Sequence, residues 1–125
     1  MKLEPNVWFD EVVKTYHLIS PHIHHTQLVT CPDLNEELNG RFLFKPESLQ
    51  ITGSFKVRGA LSAISRLSKD ELKRGVIAYS SGNHAQGVAH AAKVFNTPAT
   101  VVMPKDAPER KIANAKALGA QVIHY

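Results

Sequence analysis

Two short segments of the chain bring together residue types that can do covalent chemistry. The first is Gln50-Ile51-Thr52-Gly53-Ser54-Phe55-Lys56-Val57-Arg58-Gly59-Ala60. It sets a lysine beside an aromatic ring just where an apolar repeat begins, through Val57, Ala60, Leu61, Ile64 and Leu67. Steps of three and four mark an amphipathic helix, so Lys56 stands near a helix start, with Thr52 or Ser54 as candidate caps. The unpaired N–H groups of a helix start create a positive field that favours an uncharged amine, and partial burial acts in the same direction. An uncharged amine is the nucleophile that a carbonyl group requires. Taken alone, the segment reads better as an ordinary surface lysine. The second segment is Ser80-Ser81-Gly82-Asn83-His84-Ala85-Gln86-Gly87. Its backbone N–H groups would open a helix and suit an anion such as a carboxylate, with two hydroxyls and an amide as further donors. Taken alone, it serves equally well as a plain helix cap.

The elements around these segments must hold them in register. Residues Asn6 to Ile19 read as a helix, with Val7, Trp8, Val12 and Ile19 as a partial apolar face, and Ser20-Pro21 ends it. His25 to Thr30 and Arg41 to Lys45 read as short strands, joined by the polar stretch Pro32 to Gly40 as a hairpin or longer loop. After the Lys56 helix, Gly75 follows a charged turn whose Lys69, Asp70, Glu71, Lys73 and Arg74 suit an exposed helix. Val76–Tyr79 is a short apolar strand, and Ala85, Val88, Ala89 and Ala92 give the next helix a small-residue face. Ala99 to Met103 is a second strand. Asp106 and Pro108 open a third helix, Gly119 stops it, and Gln121 to Tyr125 is a third strand.

Strands alternating with helices of this length pair in parallel through right-handed crossovers. The expected class is therefore α/β: an open parallel sheet with helices on its faces. Ligands of such sheets bind beyond the carboxyl ends of the strands, which is where the Ser80–His84 turn falls.

Together the two segments are far more specific than either alone. They resemble PLP (pyridoxal phosphate) enzymes of the tryptophan-synthase-β fold type, and more closely the serine/threonine dehydratase and serine racemase branch. Gly53 to Ala60 matches that branch's Gly-Ser-Phe-Lys-x-Arg-Gly-Ala, and Ser80 to His84 matches its Ser-Ser/Ala-Gly-Asn-His. The resemblance runs from about Pro21 onward, with Met103-Pro104 and Gly119-Ala120 similar to the family's next strand–helix unit. The cysteine synthases, which follow the lysine with Asp-Arg and carry Thr-Ser-Gly-Asn-Thr, fit less well against Val57-Arg58 and Ser80…His84.

The resemblance implies PLP as cofactor and an ammonia-lyase acting on L-threonine, L-serine or a related hydroxy-amino acid, with serine racemase activity as the alternative. It implies that Lys56 holds the cofactor and shuttles the α-proton, that Phe55 packs by the ring, and that Asn83 meets the 3-hydroxyl. Ser80, Ser81, Asn83 and His84 would surround the substrate carboxylate, and Ser81 would be the second acid/base. Residues 1–50 would be the N-terminal helix and hairpin of a large domain, and 51–125 part of a small α/β domain, truncated before the larger domain is complete. Thr26-Gln27-Leu28 departs from the family's Thr-Pro-Leu, and the seven glycines never cluster into its phosphate cradle. The 125 residues also contain no counterpart of the residue that meets the pyridine nitrogen. The chain alone is therefore expected to be an inactive fragment. A reading from another class is a non-catalytic folding or oligomerising unit whose last strand leaves a sheet edge open.

The remaining features are bland. A net charge of +4 is spread along the chain and reads as solvated helix faces rather than a nucleic-acid surface. His17, His22, His24 and His25 lack the cysteines or carboxylates of a metal site. The single cysteine, Cys31, excludes an internal disulfide and has no neighbouring base. No glycine pattern for a dinucleotide follows a strand. Met1 to Asp10 lacks a signal peptide's apolar core, and no run reaches the ~20 apolar residues of a membrane span. A cytoplasmic homo-oligomer binding a small amino acid, with no metal, nucleic acid or membrane partner, is the expectation.

Overall fold

The computed structural model describes residues 5–125. The expectation for Met1 to Glu4 and the side chain of Val7 lie outside the described residues. Helix α1 spans Pro5–Ile19, within a residue of its predicted start, and a 3-10 turn at Ser20–His22 ends it where proline was expected to.

The predicted hairpin reduces to one antiparallel bridge. Val29 and Phe44 exchange backbone bonds, Val29 N–H to Phe44 O at 3.0 Å and Phe44 N–H to Val29 O at 2.8 Å. Between them lies a short helix, α2 (Pro32–Glu37), which sequence reading took as loop. Side chains take the place of the missing ladder. Asn35 Oδ1 accepts from Phe42 N–H at 2.8 Å, and its Nδ2 donates to Thr30 Oγ1 at 2.9 Å. Further along, Gln50 does the same for His24, accepting from its N–H at 2.7 Å and donating to its carbonyl at 2.9 Å. An amide side chain offers the same donor and acceptor as a peptide group, so it can end a ladder early at no loss of hydrogen bonding.

Helix α3 spans Lys56–Ile64 and buries Val57, Ala60, Leu61 and Ile64, the apolar repeat read from the sequence. It stops short of Leu67 because Ser68 starts a new helix, α4 (Lys69–Arg74), through a reciprocal capping box with Glu71. A capping box satisfies two helix-start donors at once, so the charged stretch forms the exposed helix that its residues suit. Neither predicted cap of α3 holds. Its cap position is Phe55 with no side-chain cap bond. Ser54 Oγ lies a long 3.4 Å from the Lys56 N–H, and Thr52 Oγ1 is buried without a partner.

Strands β1 (Val76–Tyr79), β2 (Ala99–Met103) and β3 (Gln121–His124) form one parallel sheet in that order. Ala78 is registered on Val101, and Val101 on Val122. Helix α5 (Asn83–Val94) connects β1 to β2, and α6 (Glu109–Ala117) connects β2 to β3. Asp106 falls two residues short of capping α6. The cap position is Pro108, which makes no side-chain cap bond and whose carbonyl accepts from Lys111 N–H at 2.8 Å and Ile112 N–H at 3.2 Å. Gly119 takes φ +94° beyond the helix end, a left-handed turn that favours glycine.

Because the strand order never reverses, same-handed crossovers put both connecting helices on one face. There Val101 and Met103 are fully buried, together with Ala85, Ala89 and Ala92 of α5. α3 packs over α5 as a further layer. The opposite face is bare: Ile77, Tyr79, Ile123 and Tyr125 are exposed, and the Tyr79 and Tyr125 hydroxyls hydrogen-bond across it.

Candidate active site

The site begins with one glycine. Gly87 lies buried in α5, and a Cβ placed on it would stand 3.1 Å from both Lys56 C and Val57 N and 3.2 Å from Lys56 O. Only a residue without a side chain lets α5 come so close to the first peptide of α3. Residues four apart lie on the same helix face, so Asn83 sits one turn above that contact. The small-residue face therefore does more than pack on a sheet: it seats the backbone of the lysine segment next to the Ser80–His84 turn.

Lys56 is the first residue of α3 and its side chain is exposed. Its ammonium stands 4.9 Å from the centroid of the exposed Phe55 ring, a cation–π contact. The stretch before it is held by ionic and amide bonds rather than by a cap. Arg58 donates from Nε to Glu47 Oε2 at 2.7 Å and from Nη2 to Glu47 Oε1 at 2.8 Å. Thr26 Oγ1 donates to the same carboxylate at 2.7 Å. These bonds hold the Glu47 carboxyl at about 2, with the Arg58 hydrogen bonds the largest cause. Thr26, which keeps the threonine of the family's Thr-Pro-Leu just before the departing Gln27, thus serves as an anchor of the lysine strap. The sequence gives no sign of Glu47, and it shows Gln50 and Gly87 only as ends of the two segments, without their contacts; the Lys-x-Arg spacing is the one available signal for this anchor.

The other half is the turn after β1. Ser80 N–H still pairs with Val102 O at 3.1 Å, and Ser80 Oγ accepts from Gly82 N–H at 3.2 Å. α5 then starts at Asn83 with Gly82 as cap and no side-chain cap bond. Its first N–H groups are left to an outside acceptor, the arrangement that suits an anion. Ser81, Asn83 and His84 are exposed, and Ser80 is half-buried. Asn83 Oδ1 accepts from Lys111 Nζ of α6.

The predicted residues thus fall on two adjoining elements, Phe55 and Lys56 at the start of α3, and Ser80, Ser81, Asn83 and His84 at the start of α5. A cavity of about 620 Å³ runs behind them, lined by Thr52, Gly53, Asn83, Gln86, His90 and Lys111 among others. Lys56 and Ser81 are not in its lining, and both are exposed. Burial holds the His90 imidazole below its ordinary value, with Lys93 and His22 adding to the effect. The four histidines weighed as metal ligands do not share one centre. His24 Nδ1 is 3.2 Å from Leu49 O, His25 Nδ1 is 3.1 Å from the Tyr16 hydroxyl, and His22 packs edge-on to Phe95.

The donor set fits PLP in part. An accessible primary amine matches the aldehyde, an exposed amide matches the ring hydroxyl, and an uncapped helix start matches an amino acid's carboxylate. The phosphate has no glycine-rich cradle among these 125 residues.

Comparisons with known proteins agree with this reading. Residues 19–125 match the family described as pyridoxal-phosphate dependent enzymes. The chain is 47% identical over 117 residues to an L-threonine ammonia-lyase of Thermotoga maritima, covering 94% of this chain and 29% of that protein. It is 44% identical over 117 residues to an L-threo-3-hydroxyaspartate ammonia-lyase of Saccharomyces cerevisiae, covering 94% of this chain and 36% of that protein. The crystal structure of a serine racemase from Dictyostelium discoideum superposes with a TM-score of 0.88 at 40% identity, over 92% of this chain and 38% of that one. The chain spans about a third of the length of the curated relatives it matches. With a lysine and an asparagine loop seated against each other by Gly87 and a family match over residues 19–125, the chain belongs to the pyridoxal-phosphate-dependent enzymes.

Proposed function

We propose that this chain supplies the lysine-bearing part of an ammonia-lyase that takes L-threonine, L-serine or a related hydroxy-amino acid to a 2-oxo acid and ammonia. The observation that carries the reading is the seating of the Lys56 peptide against Gly87, one helical turn from Asn83. When bound, PLP supplies an electron sink for the pair left on Cα. The chain's residues do the rest. Lys56 offers the amine that holds the cofactor and then takes the Cα proton. Phe55 packs by the ring, and Asn83 donates to the 3-hydroxyl oxygen. The free N–H groups of α5, with Ser80, Ser81, Asn83 and His84, bind the substrate carboxylate. Removing the Cα proton and the β-hydroxyl amounts to loss of water, and hydrolysis of the resulting enamine restores it, giving the 2-oxo acid and ammonia.

A second reading is serine racemisation, favoured by the exposed hydroxyl of Ser81 in the turn that opens α5. It requires a proton donor on the face away from Lys56. In the longer protein, Ser81→Ala abolishes racemisation and spares elimination if Ser81 is that donor; equal loss of both activities assigns it to carboxylate binding.

The expected division places residues 1–50 with a larger domain and 51–125 in a smaller one. The bare sheet face of Ile77, Tyr79, Ile123 and Tyr125 supports association into a homo-oligomer. No helix among the described residues is long and apolar enough to cross a membrane, and the free Cys31 suits the cytoplasm.

The test is an absorbance titration with PLP beside Lys56→Ala. A band at ~410–430 nm in the wild type, lost in the variant, marks the cofactor joined to this amine. Identical spectra for the two proteins in this chain favour an inactive fragment, and identical spectra in the longer protein overturn the reading.

A further inference from the structure

Lys111 makes two contacts at the candidate site that the proposed chemistry leaves unused. It is the third residue of α6 and half-buried. Its ammonium donates to Asn83 Oδ1, and its side chain lies along Gly82, where an added Cβ would stand 3.5 Å from Nζ and 3.8 Å from Cδ. Three residues on, Asn114 Nδ2 donates to Gln86 Oε1 at 3.0 Å. Asn83 and Gln86 are three apart on α5, and Lys111 and Asn114 three apart on α6. Residues so spaced share a helix face. Two parallel side-chain rungs therefore tie the start of α5 to α6.

The first rung has a consequence that the second lacks. An asparagine amide has an acceptor end and a donor end of nearly equal shape, and its partners decide which points where. An ammonium can only donate. Lys111 therefore captures Oδ1 and leaves Nδ2, with both its protons, facing away. That end is the one an anionic ligand oxygen needs. We propose that Lys111 is a positioning residue, which fixes the Asn83 amide with Nδ2 as the ligand-facing donor. The inference rests on the proposed role of Asn83 and adds to it the group that sets the amide's direction. Lys111 itself need not touch the ligand, and its charge also offsets the negative charge brought to the turn.

The experiment uses the chain as it is, with two readouts. The Asn83 side-chain amide protons are followed by NMR without ligand, in wild type, Lys111→Met, Lys111→Arg and, as a control on the same helix, the exposed Lys116→Met. The expected result is a pair displaced from the position of a free asparagine amide, which moves to that position in Lys111→Met. It returns in Lys111→Arg, because a guanidinium is also donor-only, and is unmoved in Lys116→Met. PLP affinity is then measured by absorbance. Loss of one charge-assisted hydrogen bond is expected to weaken binding about three- to tenfold in Lys111→Met, and to have no further effect in an Asn83→Ala background.

An Asn83 amide unchanged by Lys111→Met overturns the proposal, as does an effect on PLP affinity that persists undiminished without Asn83. If wild type and Lys56→Ala of the longer protein bind PLP alike while the amide still follows Lys111, the enzymatic reading falls and the positioning of Asn83 stands.

Discussion

Glu47 and Arg58 face each other as a two-pronged ion pair, with Nε and Nη2 at 2.7 and 2.8 Å from the two carboxylate oxygens. The Glu47 side chain is 15% exposed and that of Arg58 26%. The pair closes the strap from Glu47 to Arg58 that carries Lys56, so the most enclosed ion pair among the described residues lies in the same segment as that lysine. Acid should undo it. Glu47 sits at about 2 in the fold against an ordinary 4.5. A lowered carboxyl contributes its stability above its unfolded value, and loses it as pH falls toward the folded one. The contribution is therefore full above about pH 4.5 and is lost toward pH 2, amounting to about 3 kcal/mol by linkage. Urea unfolding at a series of pH values should show wild type losing about that much more than Glu47→Gln between pH 5 and 2. Parallel curves for the two proteins would refute it.

Removing the cation alone should cost more than removing both charges. Arg58→Ala leaves a largely buried carboxylate beside Thr26 with no counter-ion, which should cost about 3 kcal/mol at pH 7. The double variant Glu47→Gln/Arg58→Ala should recover part of that loss. Denaturant midpoints for the three variants check it, and a double variant no more stable than Arg58→Ala would count against the pairing.

Gly87 should tolerate nothing larger. Alanine in mid-helix ordinarily stabilises by about 1 kcal/mol relative to glycine. Here the new Cβ meets three backbone atoms of Lys56 and Val57 at 3.1–3.2 Å, and backbone cannot swing aside as a flexible side chain does. Gly87→Ala should therefore be net destabilising, and Gly87→Val should lose about 2–3 kcal/mol through overpacking. Thermal unfolding checks the sign: a stabilised Gly87→Ala would mean that α3 can slide outward freely.

Gln50 should behave as part of the backbone. It is 4% exposed, and its amide also accepts from Ile51 N–H at 3.0 Å, beyond its two bonds to His24. Gln50→Leu keeps the volume but removes the partner of the part-buried His24 and Ile51 peptide groups, at about 1–2 kcal/mol. Hydrogen exchange at the His24 amide should rise sharply in the variant; unchanged protection would show that the side chain is dispensable.

The three strands, the two crossover helices and the parallel sheet were legible in the sequence because periodicity and turn residues are local signals. Val76–Tyr79 and Ala99–Met103 were read to the residue, and the apolar face of α3 was read except for Leu67, which lies beyond the helix end. The Lys56 and Ser80–His84 segments stood out only when read together, through their resemblance to the family's two motifs. The hairpin was not, because Asn35 and Gln50 replace ladder bonds with side-chain amides, and composition does not reveal a partner seven or twenty-six residues away. Nor were the caps at Thr52 and Asp106, because the cap positions are Phe55 and Pro108 instead, neither with a side-chain cap bond. Only the tertiary structure decided that Gly87 meets the Lys56 peptide, that Glu47 clasps Arg58, and that Lys111 turns the Asn83 amide. Each is a contact between elements, set by how closely two backbones can approach and by which donor finds which acceptor.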